Sequence, residues 1–444
     1  MSEPLLPRLL RLAGPVAVAR LGIMGMGVAD TIIVGQLAPK ELAHLALGWA
    51  PTGVFLVGAI GLLVGVQVLA ARAIGEGQPQ NAGAALRRGL VIGWIAGALS
   101  ALLIAFGATP ALLAMGIEPG LAASAGKVAA ILGLSIPLHL TFVAASFFLE
   151  AISRPNAGAI VMWLGNALNI ALNLALVSEW GAVGSAWATV GARVFLVVGL
   201  LGWIWFSLRS AEYGVMQKPS ADAPSYAALL GVGAAAAVSQ VAEAGAFSGM
   251  TVIAGRIGEQ AVSTYQITLN LLAVVFMLSL GLAAATQVLV SESIGANDRA
   301  KAAKAGWMGI GVNTLVLMAA GLLALVFATP IGRAYSADPA LVAAVAALMP
   351  IAALTMLPDG GQVVAAAALR GRGDNWFPTA SHVLAYVVVM PPLAFWLGEV
   401  QGRGVYGLME AILLASVLSV GVLTFRHFYL TRTARGRLAP SGEA

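Results

Sequence analysis

The sequence predicts an all-α polytopic membrane protein with twelve transmembrane helices in two pseudo-twofold-related six-helix lobes. Three observations predict it: a scarcity of charge, a run of apolar stretches of membrane-spanning length, and an internal repeat. Of the 444 residues, 60% are hydrophobic and 10% are charged, against roughly a quarter charged in a typical soluble domain. A body of this size in water needs more polar surface than that.

A helix crosses the hydrocarbon core with about 20 mostly apolar residues while satisfying its own backbone groups. Such stretches lie near 12–36, 46–70, 88–107, 126–149, 157–178 and 182–207, and again near 227–252, 263–290, 305–328, 341–368, 377–398 and 404–427. Acids interrupt spans 1, 7 and 10. Short alternating segments, the mark of a β-barrel, are lacking, and the Ala, Leu and Gly richness favours helices. The expected organisation is an N-terminal lobe at 1–208, a cytoplasmic connector at 209–226, a C-terminal lobe at 227–430 and a polar cytoplasmic tail at 431–444.

Loop charge supports the count. Of 24 Lys and Arg residues, Lys40, Lys127, Arg256, Arg333 and Arg403 fall on one face, and Arg20 and Arg193 fall inside spans. All the others, from Arg8 through Arg209 to Arg437, share the face of both termini. The positive-inside rule then places the termini in the cytoplasm of a cell with the protein in its plasma (inner) membrane. The repeat is visible at a shift of 220 residues, where Gln67-Val68-Leu69 meets Gln287-Val288-Leu289 and Ile74-Gly75 meets Ile294-Gly295. Gly35 meets Gly255 and Thr109-Pro110 meets Thr329-Pro330 in the same register, and at 223 Gly181 and Gly184 meet Gly404 and Gly407. Six spans per half give both halves one orientation, with an axis along the membrane normal and a cavity between lobes.

Several functions are excluded or disfavoured. There is no cysteine, hence no disulfide and no thiolate chemistry. The net charge of +5 is spread over short loops and does not gather into a nucleic-acid face. No Walker motif, histidine metal cluster or nucleophile–base pair appears, so an enzyme or an ATP-driven pump is not expected, and no cofactor is implied. A cleaved signal peptide is not expected either, because the apolar stretch after Arg11 continues into a much larger apolar protein.

Charged groups at membrane depth are costly and face a protein interior or a wet cavity. Asp30, Glu243, Asp359 and Glu410 fall at such depths. Asp30, about ten residues from the Pro39-Lys40 loop, lies well inside the bilayer. Glu243 projects from an Ala- and Gly-rich helix. Pro358 removes an amide donor beside Asp359, and Gly360-Gly361 loosens the helix, so carbonyl oxygens are expected near the carboxylate. Carboxylates with free carbonyls suit Na⁺, whereas a carboxylate shielded from water suits H⁺; the residues leave the two open. Asn169 and Asn173, at i and i+4, share a helix face with Asn166 nearby. They, Tyr265, Gln266 and Gln362 are candidate cavity or supporting polar residues, with helix–helix bonding as the plainer alternative. Glu410 and Arg20 lie near span ends, where snorkelling is the plainer reading. Arg193 needs a counter-charge that the sequence does not name.

These residues resemble the multidrug and toxic compound extrusion (MATE) family, closest to its bacterial NorM-type branch. The resemblance rests on Asp30-Thr31-Ile32-Ile33-Val34-Gly35, Gly75, Asn169 to Asn173, Tyr265-Gln266-Ile267, Asp359-Gly360-Gly361-Gln362 and Leu369 to Asp374. It departs at Leu149-Glu150-Ala151, read as part of a loop, where many relatives carry a Leu-Arg-Gly-like run. The resemblance implies a secondary active antiporter that exports lipophilic, mainly cationic compounds in exchange for Na⁺ or H⁺, working as a monomer among membrane lipids. It associates Glu243 and Asp359 with the coupling cation, as a candidate Na⁺ site, and Asp30 with protonation or substrate handling. Rival functions are a lipid-linked precursor flippase, which usually has extra spans and a more basic cavity, an intramembrane enzyme, and a non-transporting membrane scaffold.

Overall fold

Helices of bilayer length dominate the computed structural model, which describes residues 4–207, 210–336 and 338–436. Arg209, Arg437 and residues 437–444 of the polar tail lie outside them. The order is α1 (Leu5–Leu37), α2 (Leu42–Gly75), α3 (Gln80–Ala114), α4 (Pro119–Leu134), α5 (Ile136–Ala151) and α6 (Asn156–Gly202). Then follow α7 (Tyr226–Ile257), α8 (Glu259–Gly295), α9 (Arg299–Val326), α10 (Ala328–Tyr335), α11 (Pro339–Gly371), α12 (Trp376–His382), α13 (Met390–Phe395) and α14 (Gly404–Gly436). No strand occurs among the described residues.

Among the described residues, eleven helical segments are long and apolar enough to cross a membrane. One of them, Asn156–Phe206, has 51 residues, roughly 75 Å at the α-helical rise and more than twice a hydrocarbon core. It is two spans. The chain turns at Gly181 (φ 52°, ψ −133°), a left-handed conformation that glycine alone adopts cheaply. Glu41 caps the second half by accepting a 2.7 Å hydrogen bond from the Ala182 amide. Among the described residues the total is therefore twelve traverses.

The repeat recurs in the helix bounds. α4 and α5 together run from Pro119 to Ala151, and α11, 220 residues on, from Pro339 to Gly371. The turn after α2 holds Gly77 at φ 73° and the turn after α8 holds Asn297 at φ 56°. Ser153 (φ 62°) and Gly373 (φ 92°) repeat the device after α5 and α11. The same left-handed turn is used twice with different residues, so the backbone preserves a symmetry that the side chains have partly lost.

The chain forms two compact units, Val18–Ala237 and the combination of Met1–Ala17 with Val238–Ala444. In the first, α2 to α5 pack closely through small residues, as helices must where lipid is as apolar as leucine. A Cβ on Gly97 of α3 would lie 2.6 Å from the Pro137 Cα of α5. In the second, a Cβ on Gly281 of α8 would lie 2.7 Å from the Ala13 carbonyl oxygen of α1. Outward faces are apolar: Leu99, Leu102, Leu103 and Phe106 of α3 are exposed, as are Leu315, Leu322 and Leu323 of α9. Gly97→Ala should therefore cost about 1–3 kcal/mol by forcing α3 from α5. Gly107→Ala, on the same helix with nothing within 4 Å, should cost nothing measurable, a contrast that thermal melting of the purified variants will read.

Candidate functional site

Each unit holds its own buried polar cluster. In Val18–Ala237 the centre is Asp30, fully buried on α1. Its Oδ1 accepts from Asn173 Nδ2 at 2.8 Å and its Oδ2 from Thr189 Oγ1 at 2.8 Å. Those donors sit on opposite sides of the Gly181 turn, so the two halves of α6 both hold one carboxylate. Asn169 is also buried and acts on Asp30, without a hydrogen bond of regular geometry. Asn166 instead donates to the Gly22 carbonyl of α1 at 3.0 Å. The spacing of the asparagines along one face thus fastens α6 to α1 at two levels.

Asp30 is the acid that acts electrostatically on Arg193, without a direct ion pair between them. Arg193 Nη1 donates to Ser135 Oγ at 2.6 Å and its guanidinium lies 5.6 Å from the Trp49 ring centre. Arg193, Trp49 and buried His139 line a cavity of about 240 Å³ with Met24, Met26 and Met162. His139 Nε2 and Arg193 Nε have no hydrogen-bond partner. The chamber is soft and apolar, with one cation, Arg193, and the His139 ring on its wall, while Asp30 is engaged by Asn173 and Thr189.

In the other unit Glu243 of α7 and Asp359 of α11 are close enough for their charges to repel. Glu243 is half-buried and Asp359 is 7% exposed. Gln362, one turn beyond Asp359, donates through Nε2 to Glu243 Oε1 at 3.2 Å. Around Asp359 Oδ1 stand Tyr386 Oη at 3.5 Å and Ser416 Oγ at 3.4 Å, both longer than a relaxed hydroxyl–carboxylate bond of about 2.7 Å. Tyr386 is presented by a π-helical segment, Val383–Val389, a local widening that often marks functional positions. Gln362 Oε1 and the Tyr265 hydroxyl are buried without hydrogen-bond partners. Oxygen donors in surplus around two like charges describe a place suited to a cation. Among the described residues no group of three or more His, Asp or Glu forms a metal site of the ordinary kind.

A buried cation already faces this pair. Arg370, at the end of α11, acts on Glu243 electrostatically, and its Nη2 donates to Ser239 Oγ at 3.0 Å. Ser239 shares a 2.5 Å hydrogen bond with His382 Nδ1, and the His382 ring meets Tyr386 edge-on at 5.9 Å. Hydrogen bonds therefore run from Arg370 through Ser239 to His382, whose ring packs against Tyr386 beside Asp359.

Not every sequence-derived candidate joins these clusters. Gln266 is exposed and donates to Thr251 Oγ1 at 3.1 Å, reaching neither carboxylate. Glu410 pairs with Arg403 at 2.6 Å. Glu150 is not in a loop: α5 continues to Ala151, and the carboxylate is buried against Gln67 Nε2 at 2.5 Å and Arg20 Nη2 at 3.3 Å. Arg20 also covers the Phe147 ring at 5.1 Å, so it is engaged inside the protein and does not snorkel. Tyr386, Ser416, Arg370, His382 and His139 escaped the sequence reading. The register of the repeat held the signal for three of them. A shift of 220 pairs Glu150 with Arg370 and His139 with Asp359, and the 223 register pairs Arg193 with Ser416. At each pair one half is charged where the other is neutral or oppositely charged, so the duplicated positions have diverged in charge.

The sequence model of the MatE family matches residues 15–175 and 235–396. The chain belongs to the MatE family. Its members are transport proteins and not enzymes. A probable multidrug resistance protein NorM of Caulobacter vibrioides is 43% identical, over 94% of this chain and 90% of that protein. The multidrug resistance protein PmpM of Pseudomonas aeruginosa is 28% identical over 97% and 92%. Among solved structures, the eukaryotic MATE transporter AtDTX14 superposes with a TM-score of 0.87 at 19% identity, covering 98% of each chain. A multidrug resistance MATE family transporter in an outward-facing conformation superposes at 0.85 and 20%, covering 95% of this chain and 96% of that one. At such identities the likeness establishes the fold, and the family match establishes an integral membrane transporter.

Proposed function

We propose that this MatE-family protein is a secondary multidrug efflux antiporter that exports lipophilic cations in exchange for Na⁺ or H⁺ across the inner membrane, with both termini cytoplasmic. The observation that carries the reading is one buried cluster of two acids, in which Gln362 of α11 donates to Glu243 at 3.2 Å while Tyr386 and Ser416 stand 3.5 and 3.4 Å from Asp359. Two acids held together in a low-dielectric interior favour taking up a proton or binding a cation, either of which removes the cost of burying their charge. Glu243 is the more exposed of the two acids, so it is the one proposed to meet an incoming ion first. Asp30 serves as the first lobe's charge centre, held with Arg193, Asn169 and Asn173, while Trp49 and the methionines receive the apolar body of a drug. The names of the NorM and PmpM relatives support the same reading.

Two lobes, 1–208 and 227–430, joined by the connector 209–226, expose a drug inward and then outward. Coupling requires the ion and the drug to prefer different states, a difference in binding free energy between those states. Arg370 gives Glu243 an internal cation, so an incoming ion competes with a charge already in place. Reconstitution in sealed liposomes tests the whole reading. A Na⁺ gradient or a pH gradient imposed alone should drive uptake of a cationic dye, and the gradient that works names the coupling ion. Transport under neither gradient would refute the antiport. An anionic dye of similar size should be moved at least tenfold more slowly, and equal handling would overturn the charge preference.

A further inference from the structure

The unit comprising Met1–Ala17 and Val238–Ala444 carries a large open groove that the transport mechanism does not use. It occupies about 1180 Å³ where the start of α9, the end of α14 and the start of α1 meet. Lys301, Lys304, Trp307, Phe428 and Arg432 line it. Its chemistry is layered. On α9, Lys301, Lys304 and Trp307 recur at i, i+3 and i+6, one face of the helix. On α14, Arg432 stands one turn beyond Phe428. Each helix thus presents basic groups toward its polar end and an aromatic ring one turn deeper, with Lys301 and Trp307 separated by roughly 9 Å of helix.

The basic groups have no acid of their own. Among the described residues none of Lys301, Lys304 and Arg432 forms an ion pair. The groove's one acid, Asp298, is engaged as the α9 cap, accepting from the Lys301 amide at 2.8 Å. The aromatic groups are open and held in place: Trp307 is 39% and Phe428 47% exposed, and Trp307 meets buried His427 edge-on at 5.2 Å. Three cations above two rings match an amphiphile with an anionic head and apolar tails.

We propose that this groove is a binding site for one anionic glycerophospholipid of the cytoplasmic leaflet, its phosphodiester on Lys301, Lys304 and Arg432 and its acyl chains along Trp307 and Phe428. Basic pockets at the cytoplasmic ends of membrane helices have this chemistry, with about 1 kcal/mol, or fivefold in affinity, from each basic group near the headgroups. Aromatic rings at interface depth favour a lipid over a free phosphate, because a soluble anion gains nothing from them. The site depends on the side assigned to the termini and not on what the protein exports.

The test is native mass spectrometry of the full-length protein with added phosphatidylglycerol or phosphatidylcholine of identical acyl chains. The wild type should retain one phosphatidylglycerol at least tenfold more strongly than phosphatidylcholine. Neutralising the groove with Lys301→Gln, Lys304→Gln and Arg432→Gln should remove that preference, whereas Arg154→Gln, an exposed residue of the other unit, should keep it. Excess glycerol phosphate, which lacks acyl chains, should not displace the lipid. Raising salt from about 0.1 M to about 1 M should weaken retention in the unmodified protein by screening, a readout that needs no variant to fold. Equal retention of the two lipids, full retention by the triple variant, or indifference to salt would each overturn the site. Displacement by glycerol phosphate would overturn the lipid and leave a free-phosphate site.

Discussion

Asp359→Asn is expected to abolish concentrative export while leaving the protein inserted and able to bind its drug. Asparagine matches the acid in volume and can still meet Tyr386 and Ser416, whose oxygens stand 3.5 and 3.4 Å from Asp359 Oδ1. It offers neither a formal negative charge nor an ionisable proton. If Asp359 only anchored helices, flux normalised to inserted protein would stay near wild type. If it holds the coupling cation, gradient-driven flux in liposomes should fall by at least tenfold while equilibrium drug binding changes little. Glu243→Gln should fail in the same way, because both acids belong to one cluster, tied together by the 3.2 Å hydrogen bond from Gln362 to Glu243. The double variant should add little to either single change, as expected of residues that serve one step. Full concentrative flux by Asp359→Asn would remove it from the coupling site and shift the assignment to Asp30.

Most of the fold was legible because the membrane imposes it. Span length, the basic bias of one face and the 220-residue register all follow from hydrocarbon thickness and duplication, and the helix bounds at Pro119–Ala151 and Pro339–Gly371 repeat that register. What composition could not reveal was local. The break at Gly181 depends on a positive φ and on Glu41, a residue 140 positions away in sequence that supplies the cap. The three acids deepest in the spans were legible because a charge at that depth has few innocent explanations. Their partners were harder to see. A buried tyrosine, serine or histidine is common in any helix bundle, and only three-dimensional packing selects Tyr386 and Ser416 for Asp359. Gln266 faces away from both carboxylates for the complementary reason, since its neighbour Tyr265 faces inward and a helix turns by about 100° per residue.

Arg193 shows how far a buried charge pair can be tested apart from transport. Arg193→Leu should destabilise the protein by about 1–3 kcal/mol, because it removes the cation that acts on buried Asp30 and leaves Ser135 without its donor. Asn173 and Thr189 still hold the carboxylate oxygens, which limits the damage but supplies no positive charge. The pair, and not the arginine's bulk, sets the cost. Asp30→Asn combined with Arg193→Leu should therefore recover much of the loss, since no uncompensated ion remains. A coupling energy of about 2 kcal/mol or more between the two substitutions is the signature expected of an interacting buried pair. Thermal or denaturant unfolding of the four purified proteins in one detergent reads it. Additive losses would mean that Asp30 and Arg193 do not compensate each other, leaving Asn173 and Thr189 alone to hold the acid. Recovered stability with no recovered transport would separate the two roles of Asp30, showing that its charge is needed for the transport cycle and not for the fold.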